Sequence, residues 1–106
     1  MKRGRPVQSE IRQNMIEILF FLGEAYGYQI YQVYKEVYPA VTLRSMYYHL
    51  KKGTQIGEFE KVRIDKDQGD YSWGPSTERI IYKLGSQAKP QGDERVEKFV
   101  RENPDV

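Results

Sequence analysis

One segment of the chain combines residue types that bind nucleic acids. Arg44, Tyr48, Lys51 and Lys52 fall at helical spacing within residues 42–55, and no acidic residue lies between the arginine and the second lysine. An arginine near the start of a helix can donate two hydrogen bonds to guanine O6 and N7, whereas lysines suit phosphates. The pattern predicts a helix that contacts DNA. An amphipathic helix with a solvated polar face is the alternative explanation of the same spacing.

Three further residues of this segment belong to the predicted DNA-binding set. Thr42 is the expected N-cap of the helix. Ser45 is expected to contact a base or a phosphate. His49 lies at one edge of the polar face, where a histidine either packs and makes a hydrogen bond or acts as a pH switch. The packing role is the commoner one for a single histidine on a helix edge.

A second basic segment lies at the N-terminus. Arg3-Gly4-Arg5-Pro6 is similar to the core of an AT-hook. Glycine there allows close approach to a narrow A·T minor groove, and the flanking arginines enter its negative potential. Residues 1–8 are therefore predicted to form a flexible basic arm. Arg12 adds to the positive charge of residues 1–12, which could form one surface with residues 44–52. A tail that adds only non-specific affinity is the alternative.

The composition speaks against several other kinds of site. The 106 residues include no cysteine and one histidine, which argues against disulfides, thiolate catalysis and zinc sites. No activated nucleophile or acid–base pair is visible, so we expect a protein that is not an enzyme and needs no cofactor. No apolar run approaches the ~20 residues of a membrane helix, and the N-terminus lacks a signal peptide pattern. A cytoplasmic location without membrane contact is expected.

Hydrophobic periodicity supplies the elements that must position these residues. It predicts helices at 9–22, 27–38, 43–55 and 93–102, and strands at 59–64 and 79–84. The core stripes of the first three helices are Ile11, Met15, Ile18, Leu19 and Leu22, then Ile30, Val33, Tyr34 and Val37, then Leu43, Met46, Tyr47 and Leu50. The two strands form a hairpin with a long polar tip. Lys66 near this tip joins the DNA-binding set, and Trp73 is expected to fold back on the hairpin.

The order of these elements describes an α+β protein of the winged helix-turn-helix class. It has three helices and a two-stranded wing within residues 9–86. The flexible basic arm at 1–8 precedes this domain, and residues 87–106 form a linker and a short C-terminal helix.

Two apolar patches remain outside the predicted core. Ile16 and Phe20 lie on another face of the first helix, and Val96 and Phe99 lie on the short final helix. The patches cover each other either within one chain or across a two-fold axis. We favour a homodimer through these four residues, because a palindromic site requires paired recognition helices about 34 Å apart.

Three segments together resemble the PadR-like regulators. Residues 26–30, Tyr-Gly-Tyr-Gln-Ile, resemble their Gly-Tyr-x-Ile signature. Residues 42–50 look like their recognition helix, and residues 79–84 are similar to their second wing strand. The resemblance covers roughly residues 10–86 and implies a dimeric, sequence-specific regulator that binds double-stranded DNA. The chain departs from the family at Gly53, usually an apolar position, and in having one short helix where many members have a large dimerisation region.

Two other functions are compatible with the pattern. An architectural protein would bind DNA with little sequence preference, and a protein-interaction module would use the winged helix for docking. The basic arm argues against the second of these.

Overall fold

Four helices and a three-stranded sheet form the structure, a computed structural model that describes residues 10–66 and 78–104. In chain order the elements are α1 (Glu10–Leu22), β1 (Ala25–Tyr26), α2 (Gly27–Val37), α3 (Leu43–Gln55), β2 (Phe59–Lys66), β3 (Glu78–Leu84) and α4 (Glu94–Glu102). Within the described ranges, no helix combines the length and the apolar character needed to cross a membrane.

The predicted helix boundaries follow from local chemistry. Gly23 has a φ of 83°, and its N–H donates to the Leu19 carbonyl at 2.8 Å, which ends α1. Helix α3 starts where Thr42 Oγ1 accepts the Ser45 N–H at 3.0 Å, so the predicted N-cap is confirmed. Helix α2 stops at Val37, two residues before Pro39.

The sheet contains one strand more than the sequence predicted. Its order is β1-β3-β2, and both pairings are antiparallel. Strand β1 has only two residues, Ala25 and Tyr26, which pair with Tyr82 and Ile81. The β2–β3 register shifts between Lys61 and Arg63, which explains the imperfect alternation of the sequence here. Three helices, with β2 and β3 forming the hairpin after the third, confirm the winged-helix fold.

The core lies between the helices and the inner face of the sheet. Its buried members are Met15, Ile16, Ile18, Leu19, Ala25, Ile30, Val33, Tyr34, Tyr38, Met46, Leu50, Phe59, Tyr82 and Val96. The stripes predicted for α1 and α2 are confirmed. For α3, the assignment of Leu43 and Tyr47 to the core is wrong, because their side chains are 37% and 45% exposed.

Gly53 explains why the buried line of α3 is displaced from Leu43 and Tyr47. Helix α3 buries Met46, Leu50 and Gly53, which follow one another at i, i+4 and i+7. A Cβ at Gly53 would clash with the ring of Phe59, so the glycine lets this fully buried ring lie directly on the helix. Gly53 therefore has a packing role.

Helix α4 packs against α1 and α2 and completes the core. Val96 is fully buried, and Ile16 is 2% exposed. Both residues were predicted to lie in a dimer interface, and for these two the prediction is wrong because their side chains are covered within one chain. Phe99 is half-buried against the same core, and only Phe20, at 48%, is exposed.

The buried carboxylate of Glu17 holds the segment that leads into α4. The N–H groups of Gln91, Gly92 and Asp93 donate to it at 2.7, 2.7 and 2.9 Å, and Gln13 Nε2 donates at 2.8 Å. Burial raises the pKa of Glu17, but these donors outweigh it and the pKa lies below its usual value. The carboxylate is therefore ionised in the folded protein and links α1 to α4.

Asp93 makes a second link at the same end of α4. Its carboxylate caps the helix by accepting the Arg95 N–H at 2.9 Å, and Tyr38 Oη donates to Asp93 Oδ2 at 2.8 Å. The Arg95 guanidinium pairs with the same oxygen at 2.8 Å and lies 4.9 Å from the centre of the Tyr38 ring. The hydrogen bond from the Arg95 side chain is the largest influence, and it lowers the pKa of Asp93 to about 2.

Acid is expected to weaken this second link. The pKa of Asp93 in the folded protein lies below its ordinary value. Its contribution to the free energy of unfolding is therefore complete above about pH 4 and is lost as pH falls towards 2. The contribution is expected to be on the order of 1–2 kcal/mol. Urea unfolding between pH 6 and 2.5 should therefore show a smaller acid-induced loss for Asp93→Asn than for the unmodified chain. If both proteins lose the same free energy of unfolding in acid, Asp93 is not the source of the acid sensitivity.

Candidate nucleic-acid interface

The outer face of α3 carries a line of polar side chains. Arg44, Tyr48 and Lys51 follow each other at i, i+4 and i+7, with Lys52 beside them, and all four are exposed. Tyr48 is 61% exposed. Within residues 10–66 and 78–104, none of the three cations forms an ion pair. The helix thus presents three positive charges and a large aromatic ring on one surface.

Thr42 and Ser45 have a structural role at the start of α3. The Thr42 hydroxyl accepts the Ser45 N–H, which fixes the first turn. Thr42 is exposed and Ser45 is half-buried. This cap fixes the backbone of the turn that bears Arg44.

His49 is uncharged at neutral pH. Its ring is half-buried and meets the Tyr48 ring edge-on at 5.0 Å. Burial, together with the nearby Arg12 guanidinium, lowers the pKa of His49. Its Nδ1 is buried and has no hydrogen-bond partner among the described residues. His49 therefore adds no positive charge for a phosphate at this pH.

The expected contribution of Arg12 to the basic surface is wrong. Its side chain is 4% exposed, and its Nε donates to Glu58 Oε1 at 2.9 Å. The pair joins α1 to the turn after α3 inside the protein. Arg12 therefore supports the position of α3 from beneath and adds no charge to a basic surface.

The remaining predicted contacts lie at or beyond the ends of the described ranges. Arg3, Gly4 and Arg5 lie outside the described residues, and so does Trp73. The backbone of Lys66 ends β2 opposite Glu78, at the start of the wing tip.

The described part of the wing carries charges that are partly paired. Arg63 Nη1 lies 3.0 Å from Glu24 Oε1, and Lys83 Nζ lies 3.8 Å from Glu60 Oε1. All four side chains are about half exposed, so these pairs are weak in water. Lys61 adds an exposed cation on β2.

A tyrosine-lined pocket lies beside this face. The pocket has a volume of about 500 Å³ and lies between the start of α2, the middle of α3 and β3. Its lining residues are Tyr26, Gly27, Tyr28, Tyr47, Arg79, Ile80 and Tyr82. Of the four tyrosines that line it, Tyr47 was assigned to the predicted core stripe of α3. The available signal was the Tyr-Gly-Tyr run at the start of α2. Gly27 has no Cβ, and the Tyr47 ring occupies the space where a Cβ would lie.

Metal binding finds no support in this region. Among the described residues, no three histidine or acidic side chains come together as a potential metal site.

Two solved structures of other proteins are similar to this chain. No protein-family model matches the sequence, and no curated protein matches it. A PadR family transcription regulator from hypervirulent Clostridium difficile R20291 is similar to the chain, with a TM-score of 0.46 and 22% identity over 82% of this chain and 84% of the other. A PadR-like transcriptional regulator from Bacillus cereus strain ATCC 14579 gives a TM-score of 0.44 and 22% identity over 87% and 80%.

Proposed function

We propose that the protein is a transcriptional regulator that binds double-stranded DNA with sequence preference. Helix α3 enters the major groove, and the wing and the basic arm contact the backbone or the minor groove. A single observation carries the proposal: the outer face of α3 presents Arg44, Lys51 and Lys52 without an acidic partner among the described residues. No enzymatic step is part of the proposal.

The positions of these residues on α3 divide their roles. Arg44 lies two residues after the N-cap, where helix-turn-helix proteins contact base edges. Lys51 and Lys52 lie about two turns further on, where lysines suit phosphates. Tyr48 lies between Arg44 and the two lysines, and its hydroxyl can donate a hydrogen bond to a base or to a phosphate. Arg44 therefore provides specificity, and the two lysines provide affinity.

Arg44→Ala is expected to weaken binding to the preferred site by about 1–3 kcal/mol and to relax the preference at one base position. Selection from random DNA gives the site, and fluorescence anisotropy at fixed salt gives the affinities. Lys51→Ala is the matched control from the same face, and it should weaken binding about equally on all sequences. If Arg44→Ala also weakens all sequences equally, Arg44 contacts a phosphate and the base-reading role fails.

The same selection separates the proposed function from its alternatives. Enrichment of a palindrome supports a sequence-specific regulator. Steep salt dependence without enrichment indicates an architectural protein. No binding at low salt indicates a protein-interaction module.

We also propose that two copies bind together through the exposed end of α1. Phe20 is 48% exposed and meets Phe21 edge-on, with ring centres 4.9 Å apart. Ile16 and Val96 are buried within the chain, so Phe20 is the remaining exposed member of the predicted interface. A two-fold axis at this ring would pair the same patch on both copies.

Phe20→Ser is therefore expected to convert a dimer into a folded monomer. Light scattering gives the mass, and circular dichroism shows whether the helices remain. Ile64→Ser is the matched control for the mass, because Ile64 is an apolar side chain 56% exposed on β2. Operator affinity should fall for Phe20→Ser as the dimer is lost. A Phe20→Ser protein that stays dimeric would place the interface elsewhere.

A further inference from the structure

We propose that the ring of Tyr48 contacts the C5-methyl group of a thymine in the major groove and so makes the protein prefer that base. Tyr48 is 61% exposed, the largest exposed fraction among the large apolar and aromatic side chains of the described residues. Moving apolar surface out of water is favourable, so this ring gains free energy when a partner covers it. A thymine as that partner rests on the proposed function and adds a second base-reading residue to Arg44.

The neighbours of Tyr48 on α3 indicate what covers its ring. Arg44 precedes it by one turn, and Lys51 and Lys52 follow it by about one turn. All three cations are exposed, and none of them forms an ion pair with another described residue. Lysine is depleted in the cores of protein–protein interfaces, whereas the phosphates of DNA attract it. A ring among these charges therefore suits duplex DNA better than an apolar protein surface.

The major groove offers one kind of apolar group to such a ring. The base edges present hydrogen-bond donors and acceptors there, and thymine alone adds a C5-methyl group. An aromatic ring can cover this methyl group and remove both from water. The Tyr48 hydroxyl has no hydrogen-bond partner among the described residues, so it can reach a phosphate while the ring faces the base.

His49 orients the ring of Tyr48. The two rings meet edge-on, with 5.0 Å between their centres and 81° between their planes. His49 is half-buried and its Nδ1 is buried, so the imidazole is anchored in the protein while the tyrosine ring stands in solvent. Edge-to-face contact is a favoured geometry of aromatic pairs. A ring held in this way loses less side-chain entropy when it binds a base.

Helix geometry limits where the thymine lies. Tyr48 follows Arg44 by four residues, which corresponds to a rise of about 6 Å along the helix axis. Neighbouring bases on one strand are about 3.4 Å apart. The thymine should therefore lie within about two base pairs of the position that Arg44 contacts.

Replacing thymine by uracil removes the C5-methyl group and keeps the base pairing. In the site obtained by selection, each thymine is replaced singly, and fluorescence anisotropy gives the affinity of the full chain at fixed salt. One uracil within two base pairs of the Arg44 position should weaken binding about fourfold, the effect of one methyl-sized group that is no longer buried. The same uracil should not weaken binding of Tyr48→Ala. 5-Bromouracil, which carries an apolar atom of similar size, should restore the affinity of the unmodified chain.

Two further variants separate the ring from its hydroxyl and from the nearby charges. Tyr48→Phe should keep the fourfold preference for thymine over uracil, because it keeps the ring. Lys51→Ala is the matched control, since Lys51 is exposed one turn further along the same face. It should weaken binding to both sites equally and keep the preference. Loss of the preference in Tyr48→Phe would assign it to the hydroxyl and overturn the proposal.

Photochemical crosslinking tests the contact on the unmodified chain, without a variant. Ultraviolet light joins 5-bromouracil to an aromatic side chain that touches it, and peptide mass spectrometry locates the joined residue. Attachment is expected at Tyr48 when 5-bromouracil replaces the thymine found by uracil substitution. Attachment at another residue would overturn the proposal.

The uracil series also separates this proposal from the proposed function. Sequence-specific binding without a uracil effect, or with an equal effect in Tyr48→Ala, would overturn the thymine contact and keep the regulator. A preferred site with no thymine within two base pairs of the Arg44 position would do the same. A chain that binds no DNA at low salt would lose both the function and the contact.

Discussion

Replacing Glu17 with alanine is expected to lower the free energy of unfolding by about 3–4 kcal/mol. The change removes the acceptor of three backbone N–H groups, those of Gln91, Gly92 and Asp93. Hydrogen bonds to a charged group contribute about 1.5–3 kcal/mol each, and water will recover part of what is lost. The Glu17 side chain also fills space between α1 and the segment before α4, so its truncation adds a packing loss.

The measurement is urea unfolding followed by circular dichroism at pH 7. The free energy of unfolding of Glu17→Gln should fall between those of the unmodified protein and Glu17→Ala. An amide keeps one acceptor oxygen but places N–H donors against the backbone N–H groups. Glu97→Ala is the control, since Glu97 is an exposed carboxylate on α4 itself. A loss below about 1 kcal/mol for Glu17→Ala would show that the apolar contacts of Val96 suffice to hold α4.

The helices could be predicted because their signals are local. The apolar stripes of α1 and α2 repeat at 3.6 residues, and Thr42 and Gly23 mark boundaries by their own backbone chemistry. Strand β1 could not be predicted in this way. Two residues carry no periodicity, and Ala25 and Tyr26 become a strand only because β3 pairs with them.

The outer face of α3 was found from sequence, but its flanks were not. Leu43 and Tyr47 have the spacing of a core stripe, yet the contact between Gly53 and Phe59 moves the buried line of the helix to one side. The face that a helix buries depends on the side chains of neighbouring elements, which lie elsewhere in the sequence. The tyrosine-lined pocket follows from the same displacement.

Buried charges were the other feature that local patterns missed. Glu17 and its backbone donors are at least 74 residues apart, and Arg12 and Glu58 are 46 residues apart. A charged residue with no visible partner nearby is normally assigned to the surface. Only the tertiary fold brings these partners together and reverses that assignment.

The buried pair should therefore behave as part of the core. Arg12→Ala is expected to lower the free energy of unfolding by about 3–5 kcal/mol, because it leaves the Glu58 carboxylate largely buried without its partner. The apolar double variant Arg12→Met/Glu58→Leu should regain much of this loss, since it buries no unpaired charge. Urea unfolding of Arg12→Met, Glu58→Leu and the double variant measures the coupling between the two residues.

The chain supplies a matched comparison in Arg63 and Glu24. That pair has nearly the same length, 3.0 Å against 2.9 Å, but its side chains are 53% and 47% exposed against 4% and 13% for Arg12 and Glu58. Arg63→Ala should cost less than about 1 kcal/mol, because water competes for both charges. Similar losses in Arg12→Ala and Arg63→Ala would mean that burial does not set the strength of the pair. A large loss confined to Arg12→Ala would place this arginine in the core that supports α3, with its charge unavailable to DNA.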